Sequence, residues 1–206
     1  VRGEDCCAAR LDPETPIRTV NAIILPRLRN NDRVTRLEFH VLADMTPLHD
    51  RLVIEGEAVL VAAERTNDPC YSVKDPSIVH YDGRWHLFCT IRSVKRTHQI
   101  EYLSFKDWKD AASAPRHILR LTNNYFCAPQ VFYFAPQAKW YLLFQSGQPQ
   151  YSTNDDVGNP AGWTAPVNFF ASDPPGYTAH VGAGGFWLDF FCICDDANCH
   201  LFFADD

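Results

Sequence analysis

Two aspartates of this sequence stand at the start of strongly apolar segments, where an ionised side chain is costly. Asp75 follows Lys74 directly and precedes Pro-Ser-Ile-Val, and Asp189 precedes Phe-Phe-Cys-Ile. A carboxylate beside apolar strands is destabilising unless it is paired or solvated. Paired carboxylates carry out general acid–base chemistry, in which one group is protonated and the other is ionised. An aspartate that opens a strand can also simply cap a turn through its own side chain, so each residue alone allows either interpretation.

The strands that would position these aspartates belong to an internal repeat. Each copy has an apolar strand, a turn with polar or small residues, and a second apolar strand. Trp85, Trp140 and Cys199 hold the same place in successive copies and lie 55 and 59 residues apart, a spacing that suits one four-stranded propeller blade. The sequence therefore predicts an all-β fold, an incomplete β-propeller with about three blades, and one short helix over residues 107–113. The copies span residues 75–88, 128–144 and 189–203.

The repeat places the two aspartates at equivalent positions. Asp75 and Asp189 each lie 13 residues before the phenylalanine of a His-Leu-Phe triplet, and the second copy has Ala128 or Gln130 in that place. The innermost strand of a propeller blade starts beside the central axis. We therefore expect the two carboxylates to face each other across one funnel, and this coincidence favours a functional site over two separate turn caps.

The composition excludes several classes of function. The 206 residues carry 25 acidic and 19 basic side chains, a net charge of −6, and no basic stripe, which argues against nucleic-acid binding. No apolar run approaches the roughly 20 residues that a membrane-spanning helix needs. Aromatic residues make up 13% of the chain, which suits β-rich packing and the stacking of rings on sugar faces. The aromatic content alone therefore leaves both interpretations open, a β-rich core and a surface for carbohydrate recognition.

The cysteines and the first 65 residues carry little chemical signal. No Cys-x-x-Cys pair occurs among the eight cysteines, so zinc and thioredoxin-type sites are not indicated. Cys194 and Cys199 flank a tight turn that a disulfide could close, although buried thiols explain most of the cysteines equally well. Residues 52–63 fit a strand pair or one strand with a glycine kink. The sequence thus predicts an N-terminal segment, residues 1–65, and a partial propeller domain, residues 66–206.

The second part contains, in this order, the segments SVKDPSIVHYDGRWHLF, ASAPRH, APQVFYFAPQAKWYLLFQSG, YSTNDD with NPAGWTAPVNFF, and WLDFFCICDDANCHLFFADD. Together they resemble glycoside hydrolase family 62. That family comprises secreted, five-bladed β-propeller α-L-arabinofuranosidases that act on arabinoxylan, and it is related to family 43. The resemblance implies an incomplete five-bladed propeller, an extracellular location although the first residues show no signal peptide, and a monomer that acts on arabinoxylan, arabinan or a related plant polysaccharide.

The resemblance also implies roles for both aspartates in an inverting hydrolysis. Asp75 would be the general base that activates water, and Asp189 would orient the sugar and modulate the pKa of the general acid. The acid of the family is a glutamate of a later blade, and no residue of this sequence takes that role. We therefore expect the complete molecule to continue beyond Asp206. We expect the fragment alone to be inactive or impaired, since loss of general acid catalysis costs about 10²–10⁴-fold in rate.

Four residues are candidates for substrate binding. Lys74 corresponds to a lysine that lines the arabinose pocket of the resembled family. Gln145 and Ser146 correspond to a further part of that pocket, although the family commonly has tryptophan at the place of Ser146. Trp187 precedes Asp189 by two residues and therefore shares its face of the strand.

No cofactor and no metal ligand are assigned from the sequence. The resembled family often holds a structural calcium ion at the propeller axis, but no cluster of oxygen ligands can be recognised. His180, in a glycine-rich loop, is a lesser candidate for a pocket or metal contact. Two other functions stay open, a family 43-type furanosidase or xylosidase and a carbohydrate-binding propeller without catalysis.

Overall fold

The computed structural model describes residues 10–12, 15–16, 34–44, 51–61 and 67–205, with side chains for residues 67–70 and 72–204. Strands dominate these ranges, so the predicted all-β class is confirmed. The strands are β1 (Arg10–Asp12), β2 (Thr15–Pro16), β3 (Val34–Asp44), β4 (Arg51–Val61), β5 (Cys70–Tyr81), β6 (Arg84–Ser93), β7 (Gln99–Phe105), β8 (Arg116–Ile118), β9 (Cys127–Phe134), β10 (Lys139–Ser146), β11 (Gln148–Asn154), β12 (Val167–Asn168), β13 (Trp187–Cys194) and β14 (Cys199–Asp205).

The first repeat forms a four-stranded antiparallel sheet in which β5 to β8 follow each other in chain order. Asp82 and Gly83 alone connect β5 to β6, with φ angles of 48° and 66°. Two left-handed residues are what a two-residue type I′ hairpin turn requires, because its twist matches that of the strands. The turn predicted between the two strands of the first copy is therefore confirmed, and the sheet has the size of one propeller blade.

The second repeat forms another four-stranded sheet, from β9 to β12, and the third forms the hairpin β13–β14. The turn of the second repeat is a short 3-10 helix, Ala135–Gln137, that ends at Ala138 in the left-handed region with φ 49°. In the third hairpin, a disulfide joins Cys194 to Cys199, as one reading of the sequence predicted.

The turn of the third hairpin is held by Asp195. Its Oδ1 accepts hydrogen bonds from the main-chain N–H groups of Ala197 at 2.8 Å and Asn198 at 2.6 Å. The N–H of Ala197, the His200 side chain and the N–H of Asn198 together lower the pKa of the Asp195 carboxyl to about 2. An ionised aspartate that accepts two amide bonds explains why the chain reverses within four residues.

Three clusters of buried side chains hold the sheets together. The first contains Phe88 and Tyr102 of the β5–β8 sheet and Tyr133, Trp140 and Phe144 of the β9–β12 sheet, so these two sheets pack on each other. The second lies within the β5–β8 sheet and includes the partly buried Trp85. The third joins the β9–β12 sheet to the β13–β14 hairpin through Phe132, Phe134, Leu143, Phe190 and Cys192. Successive repeats therefore stack face to face, as propeller blades do.

Side chains also bridge the innermost strands of successive repeats. The N–H of Val131 on β9 donates to Oγ of Ser77 on β5 at 2.9 Å. One repeat further, the amide of Gln130 donates to the carbonyl oxygen of Cys192 on β13 at 2.8 Å, and Gln130 accepts from the Cys192 N–H at 2.6 Å. Ser77 and Gln130 hold the same repeat position, so the same junction occurs twice.

The structure corrects the helix prediction and decides between the two interpretations of residues 52–63. Residues 107–113 were the only predicted helix, and the structure has a 3-10 helix at Trp108–Ser113 and an α-helix, α1, at Tyr177–Gly182. The helix α1 was missed because its six residues lack a side-chain cap and an apolar stripe. Residues 52–63 were left as one strand or two, and β4 is a single strand paired with β3.

Within the described ranges, no helix is long and apolar enough to span a membrane.

Candidate active site

The two candidate catalytic aspartates have the same unusual backbone conformation. Asp75 has a φ of 50° and Asp189 a φ of 55°, both in the left-handed region, and Ala128 has 50° in the intervening repeat. Strand pairing is interrupted at each of these places. Ala128, rather than Gln130, is therefore the equivalent residue of the second repeat. Aspartate enters the left-handed region more readily than most residues, which fits two of the three positions.

These bulges lie at the strands that start each repeat. A β-bulge bends its strand and re-aims a side chain, and bulges are frequent next to active sites. The site is therefore built from the same backbone feature three times, with a carboxylate in the first and third copies and a methyl group in the second.

Cys127 lies on the strand between those of the two aspartates, since β9 is hydrogen-bonded to β5 through Ser77 and to β13 through Gln130. Burial is the largest cause that raises the pKa of the Cys127 thiol to about 11, and the carboxylates of Asp75 and Asp189 raise it further, against Lys74. Both aspartates and the lysine therefore lie on the two strands that adjoin that of Cys127. Three side chains that the sequence singled out are thus brought together at the start of β9.

Lys74 and Asp75 form an ion pair at the rim of this site. The distance from Nζ of Lys74 to Oδ2 of Asp75 is 4.0 Å, and their side chains are 45% and 34% exposed. A pair this open to solvent contributes only about 0–1 kcal/mol to stability. A carboxylate that is partly open to solvent can take a proton from a water molecule, which is the chemistry of a general base.

His98 is a neighbour of this pair that the sequence did not indicate. It lies between β6 and β7, and its imidazole packs edge-on against the ring of Tyr125 at 6.3 Å between centroids. Burial is the main cause that lowers the pKa of His98, followed by the positive charges of Lys74 and Arg92, while Asp75 acts in the opposite direction. No motif surrounds His98 in the sequence, so only the fold could identify it.

The predicted binding residues Gln145 and Ser146 border the same site. Gln145 on β10 is paired across the sheet with Cys127 on β9. The Ser146 hydroxyl donates to the carbonyl oxygen of Tyr125 at 2.8 Å, and the N–H of Gly147 donates to the Tyr125 hydroxyl at 2.7 Å. The aromatic ring of Tyr125 therefore lies beside Ser146, where the resembled family was expected to have a tryptophan.

Trp187, the fourth predicted binding residue, lies in an aromatic group at the start of β13. Its indole stacks on Phe203 with 4.1 Å between ring centroids and meets the ring of Tyr177 edge-on at 4.8 Å. Tyr177 begins the helix α1, which also contains His180.

A metal site needs several ligating side chains close together. Within residues 67–204, no group of three or more His, Cys, Asp or Glu side chains has the arrangement to hold a metal ion. His180 is not part of such a group, and the structural calcium ion that the resemblance implies stays a prediction.

The carboxylate pair, the ion pair and the surrounding rings on an all-β framework are the features of a glycoside hydrolase. The family model of glycosyl hydrolase family 62 matches residues 61–206, and the chain belongs to that family. The resemblance read from the sequence is thereby confirmed.

Named relatives agree with this assignment. α-L-Arabinofuranosidase C of Cellvibrio japonicus (strain Ueda107) is 38% identical over 138 residues, which is 66% of this chain and 20% of that protein. The catalytic domain of the Coprinopsis cinerea family 62 α-L-arabinofuranosidase is similar in structure, with a TM-score of 0.59, 47% identity, and coverage of 65% of this chain and 43% of that one.

A second solved structure is also similar. The α-L-arabinofuranosidase from Podospora anserina, in complex with cellotriose, gives a TM-score of 0.58 and 41% identity over 65% of this chain and 42% of that one. The chain thus spans a fifth of the curated relative and about two fifths of the solved ones.

Proposed function

We propose that this chain is part of an α-L-arabinofuranosidase that removes terminal arabinofuranosyl side chains from arabinoxylan or arabinan with inversion. The observation that carries the proposal is the shared conformation of Asp75 and Asp189 around Cys127, on a chain of family 62. The proposal includes a five-bladed propeller, secretion and a monomeric state, which are supported by the family and by the stacked repeats.

Asp75 is the general base in this proposal. Its carboxylate takes a proton from a water molecule, the water oxygen bonds to the anomeric carbon, and the bond from that carbon to the glycosidic oxygen breaks. The leaving oxygen takes its proton from a general acid, a glutamate in the resembled family, which is assigned to no residue of this sequence. An inverting enzyme holds base and acid about 6.5–9.5 Å apart so that water fits between base and sugar.

In this proposal, Asp189 modulates the pKa of the general acid and orients the sugar. A second carboxylate near the acid raises the acid's pKa through like charge, which keeps the acid protonated near neutral pH. Lys74, Gln145, Ser146 and Trp187 bind the arabinose. Lys74 also forms an ion pair with Asp75, with 4.0 Å between their charged atoms.

The base can be tested without the general acid. Dinitrophenyl α-L-arabinofuranoside carries a leaving group that departs as a stable anion, so its hydrolysis depends on the base alone. We expect the 206-residue chain to hydrolyse this compound and to release β-arabinofuranose first, as followed by NMR of the anomeric proton. The variant Asp75→Ala should lose about 10²–10⁴-fold in rate.

Alanine fits the backbone at this position, because Ala128 has the same φ of 50° in the next repeat. Azide should restore turnover of Asp75→Ala by attacking the anomeric carbon directly, with β-arabinofuranosyl azide as product. Asp107→Ala is the matched control, since Asp107 is an exposed aspartate 3.8 Å from Lys109 and outside the site.

Two results would contradict the assignment. Full activity of Asp75→Ala would remove Asp75 as the base, and an α-configured product would exclude inversion. Binding of arabinoxylan without hydrolysis of the activated compound would support the carbohydrate-binding alternative. Preferential hydrolysis of the corresponding xyloside would support a family 43-type activity.

A further inference from the structure

Aromatic rings connect the two sides of the candidate active site. His98, close to Lys74 and Asp75, contacts Tyr125 edge-on. Tyr125 and Tyr177 are linked through the β10–β11 hairpin: the N–H of Gly147 donates to the Tyr125 hydroxyl, and Gln148 donates to Asp173, which also accepts from Thr178. Tyr177 in turn contacts Trp187, two residues before Asp189. We call His98, Tyr125, Tyr177 and Trp187 the aromatic rim.

Tyr125 is the fixed and exposed member of the aromatic rim. It is 39% exposed, yet hydrogen bonds from Ser146 and Gly147 hold its carbonyl oxygen and its hydroxyl. A tyrosine whose hydroxyl is occupied presents mainly its ring to solvent. A rigid aromatic face offers contact area at a low cost in conformational entropy.

The loop on the far side of Tyr125 is also held in place. Asp173 accepts a hydrogen bond from the side-chain amide of Gln148 at 2.5 Å and one from the Thr178 hydroxyl at 3.3 Å. Burial raises the pKa of the Tyr177 hydroxyl, as do the nearby Asp173 and Tyr125. Tyr125 and the loop that precedes Tyr177 are therefore both attached to the β10–β11 hairpin, which stabilises the spacing of these two rings.

We propose that Tyr125 is a stacking platform for a neutral pyranose ring of the polysaccharide main chain that carries the arabinose. This inference rests on the proposed function. A pyranose with equatorial substituents has a flat face of C–H groups, which matches an uncharged aromatic face. The platform adjoins Ser146 and His98 at the border of the candidate site, so a main-chain sugar stacked there would lie beside the pocket proposed for the arabinose.

The test is an equilibrium titration of the 206-residue chain with xylohexaose, an unsubstituted chain of pyranose rings without a cleavable arabinose. We expect Tyr125→Ala and Tyr125→Leu to raise the dissociation constant about tenfold, corresponding to an aromatic contact of about 1.4 kcal/mol. Tyr125→Phe keeps the ring and should stay within about threefold of wild type. Phe202→Ala is the matched control, because Phe202 is 50% exposed on β14 and lies outside the aromatic rim.

The thermal midpoint and the far-UV circular dichroism of each variant establish that it is folded. Unchanged affinity of Tyr125→Ala, an equal loss in Phe202→Ala, or no binding of xylohexaose by wild type would overturn the platform. The titration involves no hydrolysis, so its result is separate from that of the arabinofuranoside assay. Loss of the proposed function with xylohexaose binding intact would leave the Tyr125 platform as part of a carbohydrate-binding site.

Discussion

Asp75 and Asp189 share a left-handed backbone conformation, with φ angles of 50° and 55°, although they lie 114 residues apart in the chain. Both carboxylates act on the thiol of Cys127, which occupies the strand between them. The equivalent residue of that strand is Ala128, which brings no charge. The reactivity of the Cys127 thiol can therefore be used to measure the effect of the two carboxylates.

Removing either carboxylate should make Cys127 more reactive. Burial and the two aspartates raise its pKa to about 11, so at pH 8 its thiolate fraction is about 100-fold below that of a thiol with the unperturbed value of 9.0. Asp75→Asn and Asp189→Asn should each speed alkylation of Cys127 by iodoacetamide, with the rate read by peptide mass spectrometry. Because burial is the largest cause, neither variant should reach the ordinary rate.

Asp82→Asn provides the control for this measurement, since Asp82 lies in the turn at the other end of β5. Its alkylation rate should equal that of wild type. If both Asp75→Asn and Asp189→Asn left the rate unchanged, the two carboxylates would not share the surroundings of Cys127, and the convergence of the site would be wrong.

Sequence reasoning found the parts of the site that repeat. The hairpins, the Asp82-Gly83 turn and the equivalence of Asp75 and Asp189 follow from local patterns, because strand alternation and turn chemistry are written in neighbouring residues. The bulges could not be derived in this way, since a left-handed residue within a strand leaves no distinctive pattern. His98 and Tyr125 were missed for another reason: they lie between strands, and only tertiary packing brings them to the site.

The junction between β5 and β9 should contribute measurably to stability. Ser77→Ala removes the hydroxyl oxygen that accepts from the N–H of Val131, a buried residue. An unsatisfied buried donor costs about 1–3 kcal/mol. We expect a loss of that size in the free energy of unfolding, measured by urea denaturation.

Two variants make the Ser77 experiment specific. Gln130→Ala removes a donor and an acceptor from the equivalent junction and should destabilise the protein at least as much. Ser113→Ala removes an exposed hydroxyl that donates to the Asp110 carbonyl oxygen at 3.1 Å, and should change stability by less than about 0.5 kcal/mol. Equal effects of Ser77→Ala and Ser113→Ala would contradict the role of the junction.

Stability should fall in mildly acidic solution because of His86. Its Nε2 donates to the carbonyl oxygen of Tyr81 at 3.3 Å, and its Nδ1 accepts from the Tyr102 hydroxyl at 2.8 Å, so the buried ring is held neutral. Burial, with smaller contributions from Arg84 and His80, lowers its pKa below 6.5, against the carbonyl of Tyr81 and the charge of Asp156.

The direction of this pH dependence follows from the protons that His86 binds in the folded and in the unfolded protein. Below pH 6.5 the unfolded chain protonates this histidine while the folded protein does not, so the free energy of unfolding decreases as the pH is lowered. The slope from this one group reaches at most about 1.4 kcal/mol per pH unit. Urea denaturation between pH 5 and pH 7 should show a steeper dependence for wild type than for His86→Gln. Parallel curves would exclude His86 as the cause.

The substitution Ala138→Gly should stabilise the protein. Ala138 ends the Ala135–Gln137 turn with φ 49° and ψ 44°, is exposed, and donates its N–H to the Ala135 carbonyl oxygen at 3.0 Å. A left-handed conformation costs alanine about 1–2 kcal/mol, and glycine adopts it without this strain. The greater freedom of glycine in the unfolded chain offsets about 0.5–1 kcal/mol, which leaves a net gain of up to about 1 kcal/mol.

The gain should appear as a rise of about 2–4 °C in the thermal midpoint, measured by calorimetry. Ala112→Gly is the matched control: it is exposed within the 3-10 helix Trp108–Ser113 and is not among the residues with positive φ. There glycine relieves no strain, so the same substitution should lower stability by about 0.5–1 kcal/mol. Opposite signs at these two positions would establish that the backbone conformation of Ala138, rather than loss of a methyl group, sets the effect, whereas a loss at both would show that Ala138 carries no such strain.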